Sequence, residues 1–239
     1  KSEAPAAQAS VFTDEKLSKV RKVTAEAMHA SLSNMAQLTL NTSFDASGLL
    51  EFRKQIKKSG EASGLGNITL NDLVLFAVAK TLKKHPACNA HFLDDKIRYF
   101  NSVNLGIAVD TDRGLLVPTV FAADAYTLNE LSSAAKKTIE LAKTGSISPD
   151  LLRDGTFTVT NLGALGVESF TPVINPPQTC ILGVCAITER VRTINGSIST
   201  YPAMGLSLTF DHRALDGAPA ARFLKDLVES LENFSLLLV

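Results

Sequence analysis

The stretch FDHRALDGAPAARFL, Phe210 to Leu224, places a histidine, an arginine and two aspartates between an apolar strand pattern and an apolar helix pattern. An imidazole can take up and return a proton near neutral pH, which makes His212 a candidate for proton transfer. A histidine and an aspartate can also bind zinc, but no third ligand accompanies them. A plainer reading needs no chemistry: Asp216 caps the following helix and His212 is a loop residue.

The flanking elements decide where these groups stand. GLSLTF alternates, with Leu206, Leu208 and Phe210 on one face and Ser207, Thr209 and Asp211 on the other. His212 therefore sits at a strand end. Ala218 and Pro219 suit the first turn of a helix whose Leu224, Leu227, Val228, Leu231 and Phe234 face inward, with Asp216 at the cap position. Upstream, a helical pattern from about Thr13 carries Leu17, Val20, Ala27, Met28, Ser31, Leu32 and Met35. AQLTLNTSF alternates as a half-buried strand. ASGLLEFRKQIKKSG reads as a helix stopped by Gly60, and TLNDLVLFAVAKTLKKHP as an apolar helix broken before Pro86. VNLGIAV and LLVPTVFA flank the turn DTDRG as a hairpin. An amphipathic helix ends at Gly145, and GTFTVTNLG, TCILGVCAI, ERVRTI and SIST supply further strands around the tight turn NGS. Helices and strands mix without strict β-α-β alternation. The expected fold is α/β, a mixed, largely antiparallel sheet flanked by helices.

The 239 residues are 45% hydrophobic, enough for a substantial core. Lys+Arg and Asp+Glu balance at 24 each, and no basic stretch is interleaved with aromatics, so nothing points to nucleic acid. A neutral surface repels other copies only weakly and is compatible with self-association. Cys88, Cys180 and Cys185 are odd in number, and two lie in apolar runs, which suits a reducing compartment. No apolar run is long enough to span a bilayer. The Ala- and Pro-rich start, residues 1–12, reads as the end of a linker, with one domain over 13–239.

Some patterns tempt without fitting. HPACNAH spaces His85, Cys88 and His91 like metal ligands, but Pro86 breaks the helical face that would align them. DTDRG begins like a calcium loop, yet Phe121 stands where the bidentate glutamate belongs. NLGALG lacks the dinucleotide fingerprint, and neither a nucleophile elbow nor a phosphate-binding loop occurs. No metal is expected.

HRALDG fits the H-x-x-x-D-G signature of the dihydrolipoamide acyltransferases of 2-oxo acid and acetoin dehydrogenase complexes, shared with chloramphenicol acetyltransferase. The resemblance extends from about Arg21 to the C-terminus. RKVTAEAMHASLSNMAQLTL looks like that family's opening helix and first strand, DRGLLVPTV resembles its central hairpin, and GTFTVTNLGALGVESFTPVINPPQTCILGV is similar to its most recognisable segment.

The resemblance implies a chloramphenicol acetyltransferase-like two-layer sandwich that moves an acyl group, acetyl expected first, between the thiols of dihydrolipoamide and coenzyme A. Both are substrates; the lipoyl group would ride on a domain absent from this chain. A thiol is mostly protonated at neutral pH, and the thiolate is the nucleophile. His212 is implied as the base and Thr160, in TVTNLG, as the donor to the developing oxyanion, where the family more often has serine. That substitution bears on rate more than on reaction. Without the resemblance, Thr160 is an ordinary strand former. Asp216 is implied to be held by Arg21 of the opening helix, and Gly217 to permit a tight turn. Arg21 reads equally as a surface charge in KLSKVRK.

The family's trimers place the site between subunits and build cubic or dodecahedral shells through C-terminal apolar residues, which ENFSLLLV resembles. Decarboxylating dehydrogenase and dihydrolipoamide dehydrogenase components are the implied partners, in bacterial cytoplasm or mitochondrial matrix. Alternatives are a non-catalytic scaffold subunit that binds dihydrolipoamide dehydrogenase, or a stand-alone small-molecule acetyltransferase.

Overall fold

The computed structural model describes residues 12–63 and 67–239, so the expected linker, 1–12, lies outside it save for its last residue. The chain runs through α1 (Lys19–Asn34), β1 (Gln37–Asp45), α2 (Ser47–Ser63), α3 (Leu70–Leu82), β2 (Ala90–Leu93), β3 (Lys96–Tyr99), β4 (Leu105–Ile107), β5 (Thr119–Val120), α4 (Leu128–Lys143), β6 (Phe157–Asn161), β7 (Cys180–Ile194), β8 (Ser197–Asp211) and α5 (Gly217–Glu232). A 3-10 turn, Phe234–Leu238, follows.

Helix starts are set by local chemistry. Ser18 accepts from the Arg21 amide, so α1 begins later than the apolar period from Thr13 suggests. Thr69 with Asp72, and Thr127 with Glu130, form reciprocal capping boxes that satisfy orphan amides of α3 and α4. Helix α2 passes Gly60 and ends at Ser63. A glycine inside a helix costs only about 1 kcal/mol, which tertiary packing can override.

The main sheet has the order β1-β8-β7-β6-β4-β5. Pairings β1/β8, β8/β7 and β4/β5 are antiparallel, while β7/β6 and β6/β4 are parallel, which makes the sheet mixed and largely antiparallel. Segments expected as four strands merge into the long β7–β8 hairpin, closed by Asn195 and Gly196 at positive φ. The small β2–β3 hairpin was not foreseen, because four-residue strands carry too little alternation to register.

The alternation in β6, β7 and β8 sorts their residues into two chemistries. Phe157, Val159, Cys180, Leu182, Val184, Leu206, Leu208 and Phe210 join the core packed under the helices. Residues Thr158, Ser207, Thr209 and Asp211 between them are equally buried. Their polar atoms are satisfied: Thr158 donates to Gln178, Ser207 to Asn41, and Thr209 shares a 2.7 Å hydrogen bond with Thr39. Segment 162–179 covers part of this polar face. Its Phe170 ring lies where a Cβ on Gly183 would come within 2.6 Å, so Gly183 allows the close approach.

Candidate active site

Strand β8 delivers His212. Its last residue, Asp211, lies opposite Gln37 of β1 and donates its N–H to the Thr179 carbonyl at 2.9 Å. The next amide, of His212, donates to the Ala36 carbonyl at 2.9 Å. The chain then turns, with Ala214 N–H bonded back to the Asp211 carbonyl. This fixes the main chain on both sides of His212, while its side chain stays 46% exposed.

Asp211 is fully buried and accepts from the amides of Ala36 and Arg213 and from the Arg213 guanidinium. That bonding holds the Arg213 pKa above its usual value, against the opposing effect of burial. The guanidinium also stacks over Phe92, 4.4 Å from the ring centroid. Sequence reasoning placed Asp211 on the polar face of its strand but assigned it no task. The missed signal is an acidic residue at a strand position whose neighbours are all interior.

Asp216 occupies the N-cap position of α5, but its side chain makes no capping bond. It is 84% exposed, with Oδ1 3.7 Å from His212 Nδ1, too long for a hydrogen bond. The expected Arg21–Asp216 pair is absent among the described residues. Arg21 instead lines a cleft of about 890 Å³ with Asp110, Asp112 and Arg113. Arg21 lies in the first turn of α1, capped by Ser18, and is exposed. The expected steric need for Gly217 is also absent, since a Cβ there would meet nothing within 4 Å.

Thr160 stands half-buried on β6, opposite Gly183 of β7, and Gly183 stands opposite Ser207 of β8. Its hydroxyl has no partner among the described residues. His212 lies five positions beyond Ser207, just past the end of β8. With about 3.3 Å per residue and about 4.8 Å per strand spacing, Thr160 and His212 of one chain are on the order of 19 Å apart. The structure thus brings His212 and Asp216 near each other, and leaves Thr160 remote from both.

The remaining candidates scatter. His85 Nε2 meets Asp226 Oδ2 at 2.8 Å, whereas His91 donates from Nε2 to the Gly155 carbonyl at 2.8 Å and packs edge-on to Phe100. Burial lowers the His91 pKa, with the Gly155 bond opposing. Cys88, Cys180 and Cys185 are free and buried. Burial pushes the Cys180 thiol well up, reinforced by Cys88 and the Asp211 carboxylate, so it is no nucleophile. DTDRG forms a hairpin turn in which Thr111 donates to the Gly114 carbonyl. Among the described residues, no group of three or more His, Cys, Asp or Glu is arranged to hold a metal ion.

Residues 9–239 match the family described as 2-oxoacid dehydrogenases acyltransferase (catalytic domain). The chain belongs to this acyltransferase family. Among its relatives, the dihydrolipoyllysine-residue acetyltransferase component of the pyruvate dehydrogenase complex of Rickettsia bellii is 36% identical over 220 residues, 92% of this chain and 53% of that protein. The corresponding component of the acetoin cleaving system of Bacillus subtilis is 38% identical over 220 residues, 92% of this chain and 55% of that protein. The chain thus spans about half the length of these curated relatives.

Solved structures place the acyltransferase fold firmly. One is the dihydrolipoamide acetyltransferase of Azotobacter vinelandii, studied for the roles of a serine, a histidine and an asparagine in its catalytic mechanism (TM-score 0.89, 30% identity, 100% of both chains). The cubic core of a pyruvate dehydrogenase multienzyme complex matches equally (TM-score 0.89, 30% identity, 100% of both chains). Chloramphenicol acetyltransferase shares the fold alone, with TM-score 0.53 and 14% identity over 87% of this chain and 93% of that one.

Proposed function

We propose that this domain transfers an acyl group, acetyl first, between dihydrolipoamide and coenzyme A, using His212 of one chain and Thr160 of another. His212 carries the reading: its main chain is anchored on both sides while its ring stays half open to a substrate. The spacing of the residues studied in the Azotobacter enzyme supports it. There the serine and histidine are as far apart in sequence as Thr160 and His212 are here, and the asparagine follows its histidine by four residues, as Asp216 does.

The chemistry balances without a covalent enzyme intermediate. The His212 imidazole takes the thiol proton of coenzyme A on its unprotonated ring nitrogen. The thiolate attacks the thioester carbon of acyl-dihydrolipoamide. The carbonyl oxygen becomes an oxyanion and accepts the uncommitted Thr160 hydroxyl, a contribution of about 3 kcal/mol. Collapse breaks the bond to the lipoyl sulfur, which recovers the proton from His212.

One chain cannot supply both groups to one substrate across roughly 19 Å of sheet. A second copy can, which is why a trimer with sites between chains fits this geometry. The cubic core of a relative with this fold supports assembly into a shell, cubic or dodecahedral in this proposal. Acetyl specificity, a lipoyl domain beyond the Ala/Pro linker of residues 1–12, decarboxylating dehydrogenase and dihydrolipoamide dehydrogenase partners, and a bacterial cytoplasmic or mitochondrial matrix location all belong to the same proposal. No described helix is long and apolar enough to cross a membrane.

His212→Ala tests the reading. Loss of acyl transfer between acetyl coenzyme A and free dihydrolipoamide, with assembly intact, is expected. Near wild-type activity would remove His212 from the mechanism.

A further inference from the structure

We infer that Asp211 and Arg213 are the positioning pair for His212, clamping the turn on which the imidazole is carried. The inference rests on the reading of His212 as the base. It departs from the expected device, an Arg21–Asp216 pair, which the chain does not form.

The observation is how completely one buried carboxylate ties together the residues around His212. Asp211 Oδ1 accepts the Arg213 amide at 3.1 Å, closing an Asx-type turn directly across His212. The same oxygen accepts the Ala36 amide at 3.3 Å and Arg213 Nε at 3.0 Å. Oδ2 accepts Arg213 Nε at 3.1 Å and Nη2 at 2.7 Å, so the guanidinium grips the carboxylate as a fork. The residues before and after His212 are thus joined side chain to side chain.

The clamp is also moored outside its own turn. Ala36, in the α1–β1 connection, receives the His212 amide on its carbonyl and gives its own amide to Asp211. Arg213 is seated on Phe92 of β2, and Thr179 holds the Asp211 amide just ahead of β7. Three separate parts of the chain therefore converge on a three-residue turn whose middle side chain alone is left free to reach out. Asp216 offers no comparable hold, being exposed and beyond hydrogen-bond distance of the ring.

A buried, paired carboxylate three bonds along the chain from a candidate base is costly to place for packing alone. Its geometric consequence is orientation: without it, the turn and the imidazole lose their fixed direction. Misplacing a reacting group by about 1 Å can cost about 10²-fold in rate. The loss should appear in turnover, since neither Asp211 nor Arg213 is asked to bind the reacting atoms.

The test uses the assembled protein with acetyl coenzyme A and dihydrolipoamide. Asp211→Asn keeps the shape and removes the charge. Arg213→Lys keeps the charge and removes the fork. Each is expected to lower kcat by about 30- to 100-fold, with KM for both substrates within about threefold of wild type. In the double variant kcat should fall little further than in either single one, because both members serve one device. Should Asp211→Asn fail to assemble, Arg213→Lys carries the test alone. Wild-type kcat in a folded, assembled variant, or a rise in KM with kcat unchanged, overturns the inference. His212→Ala assayed alongside separates the two claims. If it is dead while Asp211→Asn is fully active, only the clamp falls; if it is active, the reading of His212 falls first.

Discussion

Thr160 lies in one cross-sheet row with Gly183 and, one strand further, Ser207, which is five positions before His212. The two groups assigned to one reaction thus stand two strands and five positions apart on the same sheet. A single chain carries both halves of the proposed site and joins neither, so catalysis and self-association become one question.

Removing the Thr160 hydroxyl tests the oxyanion role. Thr160→Ala should lower kcat by about 10²–10³ with little change in KM. Thr160→Ser keeps the donor and frees the rotamer, so it should stay within about tenfold of wild type. Steady-state kinetics with both substrates check this; an unchanged rate in the alanine variant would make Thr160 an ordinary strand residue.

The C-terminal 3-10 turn divides its apolar residues between two tasks. Phe234 is buried against Phe52 and Phe76, whereas Leu236, Leu238 and Val239 stay exposed. Phe234→Ala should destabilise the domain by about 3–5 kcal/mol in denaturant titration. Replacing Leu236, Leu238 and Val239 by serine should leave the fold and the trimers but abolish larger particles in light scattering. Intact shells would contradict an anchoring role.

Protonation of His91 should weaken the fold as pH falls. Burial lowers its pKa in the folded state, so the unfolded chain binds the proton first. The contribution is complete above the unfolded value, about 6.5, and is lost as pH drops from there toward the folded value. Melting temperatures between pH 7.5 and 5 should fall more steeply for wild type than for His91→Gln. Parallel curves would show that His91 does not contribute.

Two glycines should respond oppositely to alanine. At Gly183 the new Cβ would lie 2.6 Å from the Phe170 ring, and displacing that ring should cost about 1–3 kcal/mol. At Gly217 the Cβ meets open space, so the unfolding midpoint of the isolated chain should shift little. A large loss there would point to a contact made only between chains.

The placement of His212 and Asp216 was legible because its signals are local. The alternation in GLSLTF sorted core from polar residues, and the four-residue step from His212 to Asp216 placed both at a strand–helix junction. What stayed hidden depends on distant chain. Asp211 gains its meaning from Ala36 and Thr179, which no local pattern connects to it. The expected Arg21–Asp216 pair is not formed within one chain. A motif match names two residues but not where α1 begins, which the Ser18 cap marks. The β2–β3 hairpin was masked by its brevity and by the histidine spacing of HPACNAH, whose side chains part toward Asp226 and Gly155.

Mixed assemblies test the central claim most directly. His212→Ala and Thr160→Ala chains, tagged differently and co-assembled in equal amounts, are each defective alone. If His212 of one chain works with Thr160 of another, half the sites draw an intact histidine and half of those an intact threonine, restoring about one quarter of wild-type activity. Activity in the purified mixed particles no higher than the average of the two parents would contradict a site shared between chains.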